Sequence, residues 1–229
     1  MKKVAFVASF ALVAAAQAAV LFDNGPVYDV AGSPNLSRLI TPSTTLGAGA
    51  QTTANNAVAD NFTASSSWNI TQLTFYMYQT GANSTFTFTG LNYQICSSNS
   101  DAVSWTSASV SNGGLVAYRV TNTTLTDRTR AIFAINVSVN LNIGPGNYIL
   151  RWQASGSLAS GPWQPPVVPT NGGGNATQSL AGGAFNPLVD TGSSLNMELP
   201  FTISGTEVPA PGALALVGVG AIVTTRRRR

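Results

Sequence analysis

Between residues 129 and 143, apolar side chains recur at every second position: Phe133, Ile135, Val137, Val139, Leu141 and Ile143. From Asn136 onward the alternate positions are polar, with Ser138, Asn140 and Asn142 following. A period of two predicts a strand with one buried and one wet face, as in an antiparallel sheet. Gly144-Pro145-Gly146-Asn147 predicts a turn. Residues 148–153 then return with Tyr148, Leu150 and Trp152 on one face. The same reading gives strands at 20–22, 58–62, 68–79, 85–90, 91–96, 115–120 and 195–204. In 68–79 both faces are apolar. Leu73, Phe75 and Met77 share one, and Trp68, Ile70, Tyr76 and Tyr78 the other, as in a bulged central strand. Residues 24–56, 97–114 and 155–185 read as loop, and Gly205-Thr206-Glu207 as a linker after the last strand. About eight to ten strands separated by Gly/Pro turns, with no amphipathic helix among them, predict an all-β fold. The expected architecture is an antiparallel β-sandwich, jelly-roll-like or immunoglobulin-like.

The two ends break this pattern. Lys2 and Lys3 precede an apolar run from residue 4 to 13, and Ala16 and Ala18 supply a small-residue cleavage pattern. Residues 1–18 therefore read as a helical secretory signal peptide, cut after Ala18. At the other end, Val208-Pro209-Ala210-Pro211 is followed by uncharged residues up to 225 and then by Arg226, Arg227, Arg228 and Arg229. The prolines end the preceding fold and hold the chain extended. The apolar run is a short transmembrane helix candidate, and the arginines stay on the cytoplasmic side of the membrane. From 208 to 225 there are 18 uncharged residues. As a helix they reach about 27 Å, against a hydrocarbon core of about 30 Å. That length suits a transient anchor. The expected organisation is a signal peptide (1–18), a β-sandwich domain (19–207) and a C-terminal sorting segment (208–229).

The order of motif, apolar run and arginine cluster resembles the PEP-CTERM sorting signal of exported bacterial proteins. The usual motif there is Val-Pro-Glu-Pro; here Ala210 takes the third position. The resemblance implies an exosortase-type membrane protease that recognises residues 208–211, transient residence in the inner membrane, and delivery to the cell surface or extracellular matrix. Proteins with such tails are associated with bacteria that make exopolysaccharide. The body resembles a group of exported proteins with no assigned activity. That likeness rests on Ala-Asp-Asn-Phe-Thr at 59–63, Tyr-Gln-Thr-Gly at 78–81, Trp152-Gln153, and the run from Ala159 to Val167.

Charge changes once the ends are set apart. The whole chain carries +3, but residues 19–207 hold five arginines against eight acids, a net −3. A body of that sign has no electrostatic case for nucleic acid. Charged residues make up only 8% of the chain, so Asn, Ser, Thr and Gln must carry its solubility. Cys96 is the one cysteine and reads as a small buried hydrophobe.

The chain has no histidine, and the body no lysine. Ser-His-Asp and Cys-His catalysis, His-ligated zinc and Schiff-base chemistry are thereby excluded for the body. What remains is a glycosidase-type carboxylate pair drawn from Asp23, Asp29, Asp60, Asp101, Asp127, Asp190, Glu198 and Glu207. Of these, Asp60, Asp101, Asp127 and Asp190 read as turn-capping residues. Asn99-Ser100-Asp101 comes nearest to a calcium loop without its spacing. The expectation is no catalytic residue, no metal and no cofactor. Trp105 and Trp163, both in predicted loops, either stack on sugar rings or cover the ends of the core. The functional expectation is an exported structural protein of the surface or matrix, the alternative a carbohydrate-binding module for an extracellular polysaccharide.

Overall fold

A computed structural model describes residues 18–167 and 173–208. The expected signal peptide up to residue 17, and the expected sorting segment beyond Val208 with its apolar run and arginines, lie outside the described residues. The strands are β1 (Ala19–Asp23), β2 (Leu36–Leu39), β3 (Ala48–Gly49), β4 (Ala57–Ala64), β5 (Ser67–Met77), β6 (Phe88–Cys96) and β7 (Thr106–Ala108). They continue with β8 (Ser111–Thr121), β9 (Ala131–Ile143), β10 (Gly146–Gly156), β11 (Trp163–Gln164), β12 (Thr177–Ser179), β13 (Asn186–Pro187) and β14 (Phe201–Val208). The only helical piece among the described residues is a single 3-10 turn, Thr52–Ala54. No described helix is long and apolar enough to cross a membrane.

The fold is all-β. One six-stranded sheet runs β1-β14-β5-β9-β8-β2 and another β13-β12-β4-β10-β6-β7, with β3 and β11 forming a small third pair. Pairing is antiparallel except between β2 and β8. The two large sheets share one core, a two-layer arrangement consistent with a β-sandwich. Aromatic rings cross between the layers: Phe75 lies 5.3 Å from Trp152, and Trp152 lies 5.8 Å from Phe201. Phe62 of β4 meets Trp68 of β5 at 6.1 Å. Each such fully buried side chain contributes about 1.5–3 kcal/mol, so this cluster ties one sheet to the other.

The bulge expected in β5 is present, as a register shift against β9 between Ile70 and Gln72. It resolves the two apolar faces. One extra residue reverses the alternation, so Trp68 and Ile70 join Leu73, Phe75 and Met77 in the same core. Tyr76 stays half-buried on the opposite face, its hydroxyl 3.0 Å from that of Thr202. Tyr78 packs there too, in a second cluster with Val27, Ala117 and Ile132.

Several boundaries differ from the sequence reading. The strands expected at 85–90 and 91–96 are one, β6, and the stretches expected as loop hold the short strands β2, β3, β7, β11 and β12. Asn112-Gly113-Gly114 do not close a loop but lie within β8, in a bulged stretch facing β9. A Cβ on Gly113 would sit 2.9 Å from that of Ala134, which is why the close approach needs glycine. Residues 195–200 form isolated bridges rather than a strand. Gly205, Thr206 and Glu207 are not a linker: they continue β14 and pair with Ile70, Asn69 and Trp68.

Candidate functional site

The outer face of the second sheet carries a small polar pocket of about 180 Å³. It is lined by Asn55, Gln94, Trp105, Arg151, Ser179 and Phe185, among others. Strand alternation puts the polar residues there. Leu150 and Trp152 of β10 face the core, so Arg151 between them faces outward, and Gln94 lies directly opposite on β6. On β4 the residue paired with Arg151 is Ala59, and the small Ala57 of the same strand lines the pocket. Gly182 and Gly183 bring the turn after β12 close to Asn55, whose carbonyl accepts from the Gly182 N–H at 2.7 Å.

Arg151 is only 4% exposed. Its Nη1 donates to Gln94 Oε1 at 2.9 Å and to the Asp101 carbonyl at 3.0 Å. Its Nη2 donates to the Ser98 carbonyl at 2.7 Å. The guanidinium lies over the Phe185 ring at 4.9 Å, a cation–π contact. Its Nε–H is buried without an acceptor. Trp105, half-buried just before β7, completes the aromatic part of the lining.

Trp163 is placed elsewhere. It is strapped to Tyr78 by two backbone hydrogen bonds of 2.9 Å. Its half-buried ring packs on the second apolar cluster, with Nε1 donating to Ser160 Oγ at 3.3 Å. The two candidate tryptophans therefore serve different surfaces, and none of the pocket's lining comes from Trp163.

The carboxylates divide into two groups. Asp101 accepts from the N–H groups of Ser97 and Ser98, both at 2.9 Å, and from the Ser97 hydroxyl. Those bonds hold its carboxyl below the usual range. Asp127 is held low by the Thr129 hydroxyl and N–H, and it pairs with Arg130 at 2.6 Å. Asp190 accepts from the N–H groups of Thr44, Thr45 and Ser193 and from the Ser193 hydroxyl. Burial alone would raise Asp190, but these donors outweigh it and leave it well below the ordinary value. These three cap turns, as the sequence suggested.

Asp60 does not cap a turn. It lies inside β4, 2% exposed, and shares a hydrogen bond with Glu198. The Asn24 amide bridges the two, at 3.0 Å from Asp60 Oδ2 and 3.4 Å from Glu198 Oε2. Burial first, then the Glu198 charge and the bond to it, push Asp60 up to about 8. Carboxyls in direct hydrogen bond are closer than the roughly 5–9.5 Å that glycoside hydrolysis requires. Among the described residues no group of three or more acids, histidines or cysteines is placed to hold a metal. Asn99-Ser100-Asp101 forms a hydrogen-bonded turn in which the Asp101 carboxylate is already committed.

A larger cavity of about 300 Å³ lies beside Arg119, Arg38 and Asp29. Arg119 is 3% exposed, and burial lowers its pKa to about 10. It donates to the carbonyls of Leu46, Arg38, Thr45 and Pro166 and to Ser37 Oγ, leaving no N–H to offer a ligand. It reads as a clamp on those loops.

Sequence reasoning passed over Arg151, Phe185, Asn55 and Gln94. A signal was present for Arg151: it is the one charged residue in β10, between two core positions. Phe185 is a lone aromatic in a Gly/Ala-rich turn, and its partner is visible only in three dimensions. The chain matches no protein-family model, and a search of curated proteins finds no match.

Proposed function

We propose that the chain is an exported, non-catalytic β-sandwich protein of the cell surface or extracellular matrix, sorted by its C-terminal signal. The observation that carries this reading is the order of features at the end of the chain. The strand β14 ends on Val208, the first residue of the Val-Pro-Ala-Pro motif, and the rest of the motif, the apolar run and four arginines follow. An exosortase-type protease acting there removes the tail without cutting into the hydrogen-bonded sheet. The intact mass of the protein recovered from producing cells tests it. The expected mass lacks residues 1–18 and the tail. A mass that retains residues 208–229 overturns the sorting reading and makes the tail a plain anchor.

A second reading, a carbohydrate-binding module, is favoured by one specific observation. The pocket at Trp105 combines an aromatic face with amide and guanidinium donors, the pairing that sugar rings need: apolar C–H faces and hydroxyl edges. Its volume of about 180 Å³ matches on the order of six water molecules, room for one saccharide ring. On this reading the protein holds an extracellular polysaccharide at the surface to which it is delivered.

A further inference from the structure

Arg151 is a buried positive charge outside any ion pair, although the Asp101 carboxylate feels its charge. The ion pairs among the described residues are Arg38–Asp29 and Arg130–Asp127. The oxygen acceptors of Arg151 are neutral, the Gln94 side chain and the carbonyls of Ser98 and Asp101, and the guanidinium also reaches the Cys96 thiol. The Asp101 carboxylate, on the same loop, faces Ser97 and Ser98 instead. Arg119 is also buried without an ion pair, but its donors are all spent. Arg151 differs in two respects. It lines a pocket beside two aromatic rings, and its Nε–H has no acceptor. A buried N–H left unpaired costs about 1–3 kcal/mol, so Arg151 sits at the pocket wall with bonding capacity unspent. Charge-assisted bonds from a guanidinium to a carboxylate are about twice as strong as neutral ones.

Resting on the carbohydrate reading, we propose that this pocket takes the carboxylate-bearing ring of an acidic saccharide, a uronic acid unit. The ring stacks on Trp105, its hydroxyls reach Asn55 and Gln94, and its carboxylate is drawn to the Arg151 guanidinium. Phe185 on the guanidinium face limits Arg151 to in-plane bonding, the geometry a carboxylate prefers.

The experiment is a calorimetric titration of the recovered protein with an oligouronate, with the same oligomer as its methyl ester, and with a neutral oligoglucoside. The variants are Trp105→Ala, Arg151→Lys and Arg151→Gln, each checked for folding by circular dichroism. The expected result is binding of the oligouronate at least tenfold tighter than its ester, lost in Trp105→Ala and in Arg151→Gln. Arg151→Lys keeps the charge but loses the planar donors, and is expected to weaken binding less than Arg151→Gln. If Arg151→Gln does not fold, the acid-against-ester ratio and Trp105→Ala decide alone. Equal binding of acid, ester and neutral oligomer overturns the acidic ligand and leaves the carbohydrate reading standing. No binding of any of the three overturns both. Acid preference unchanged in Trp105→Ala moves the site elsewhere and overturns this one.

Discussion

Asp60 keeps its proton to about pH 8 because burial, the Glu198 charge and the bond between the two carboxyls all favour the neutral form. Two backbone N–H groups, from Leu199 and Asn61, pull the other way and lose. In the unfolded chain the same carboxyl titrates near 3.8. Between these values the folded state binds the extra proton, so stability falls as pH rises. The Asp60 contribution is fully present below about pH 4 and is lost as pH passes through about 8, at no more than about 1.4 kcal/mol per pH unit. Asp101, Asp127 and Asp190 have lowered values and act only as pH drops below the normal carboxylate range. Denaturant unfolding from pH 5 to 9 therefore reads chiefly Asp60, with the Cys96 thiol, pushed up by burial, adding a loss only toward pH 9. Asp60→Asn has one acceptor for two N–H groups, and should cost about 1–3 kcal/mol at pH 5. That deficit should shrink toward pH 9, where the wild type has lost its proton. An Asp60→Asn protein that keeps the wild-type pH slope would place the titration elsewhere. Asp60 was legible as a carboxylate and not as a core residue. Nothing in Ala59-Asp60-Asn61 announces burial, since Asn24, which joins the two carboxyls, lies 36 residues from Asp60 and 174 from Glu198.

Strands were legible where one face is dry and the other wet. In β9 the alternation seen in the sequence is the alternation in the structure, with Phe133, Ile135 and Val137 in the core. It misses Ile132, buried on the opposite face against Tyr78 because a second layer covers that face too. The short strands β2, β3, β7, β12 and β13 have too few residues to show a period; they exist because a neighbouring edge offers them partners. Bulges are the other gap. The end of β14 reads as a linker because Gly205 interrupts its pattern, yet that glycine is where the strand crosses β5. A Cβ at Gly205 would fall on the Asn69 carbonyl oxygen and lie 2.9 Å from Ile70 Cα. Both are backbone atoms of the paired strand and cannot turn aside. Gly205→Ala should lose about 2 kcal/mol or more, read as a lower urea midpoint with unchanged slope. Wild-type stability in Gly205→Ala would mean the bulge relaxes and the close approach is incidental.

At the scale of the molecule, the charge distribution is the feature the whole chain hides. Six of 11 basic residues sit in the two terminal segments, while all eight acids lie between them. The full chain has a pI of about 9.3. Loss of both ends leaves five arginines against eight acids. Such a body is neutral only when about three of its carboxyls are protonated, which puts its isoelectric point at about 4 to 5. Two of the five arginines, Arg119 and Arg151, are buried, and so are two of the eight acids, Asp60 and Asp190, so the outer surface keeps the acidic excess of the count. An acidic polysaccharide is repelled by the surface at large, and in the pocket its carboxylate meets a compensating charge at Arg151. Isoelectric focusing of the protein from producing cells, beside the unprocessed chain, reads this directly. A band at about pH 4 to 5 means that both basic ends are gone and the acidic body is the working form. A band near the pI of the full chain means that the ends stay, and that any acidic polymer it holds is drawn by terminal arginines rather than by the pocket.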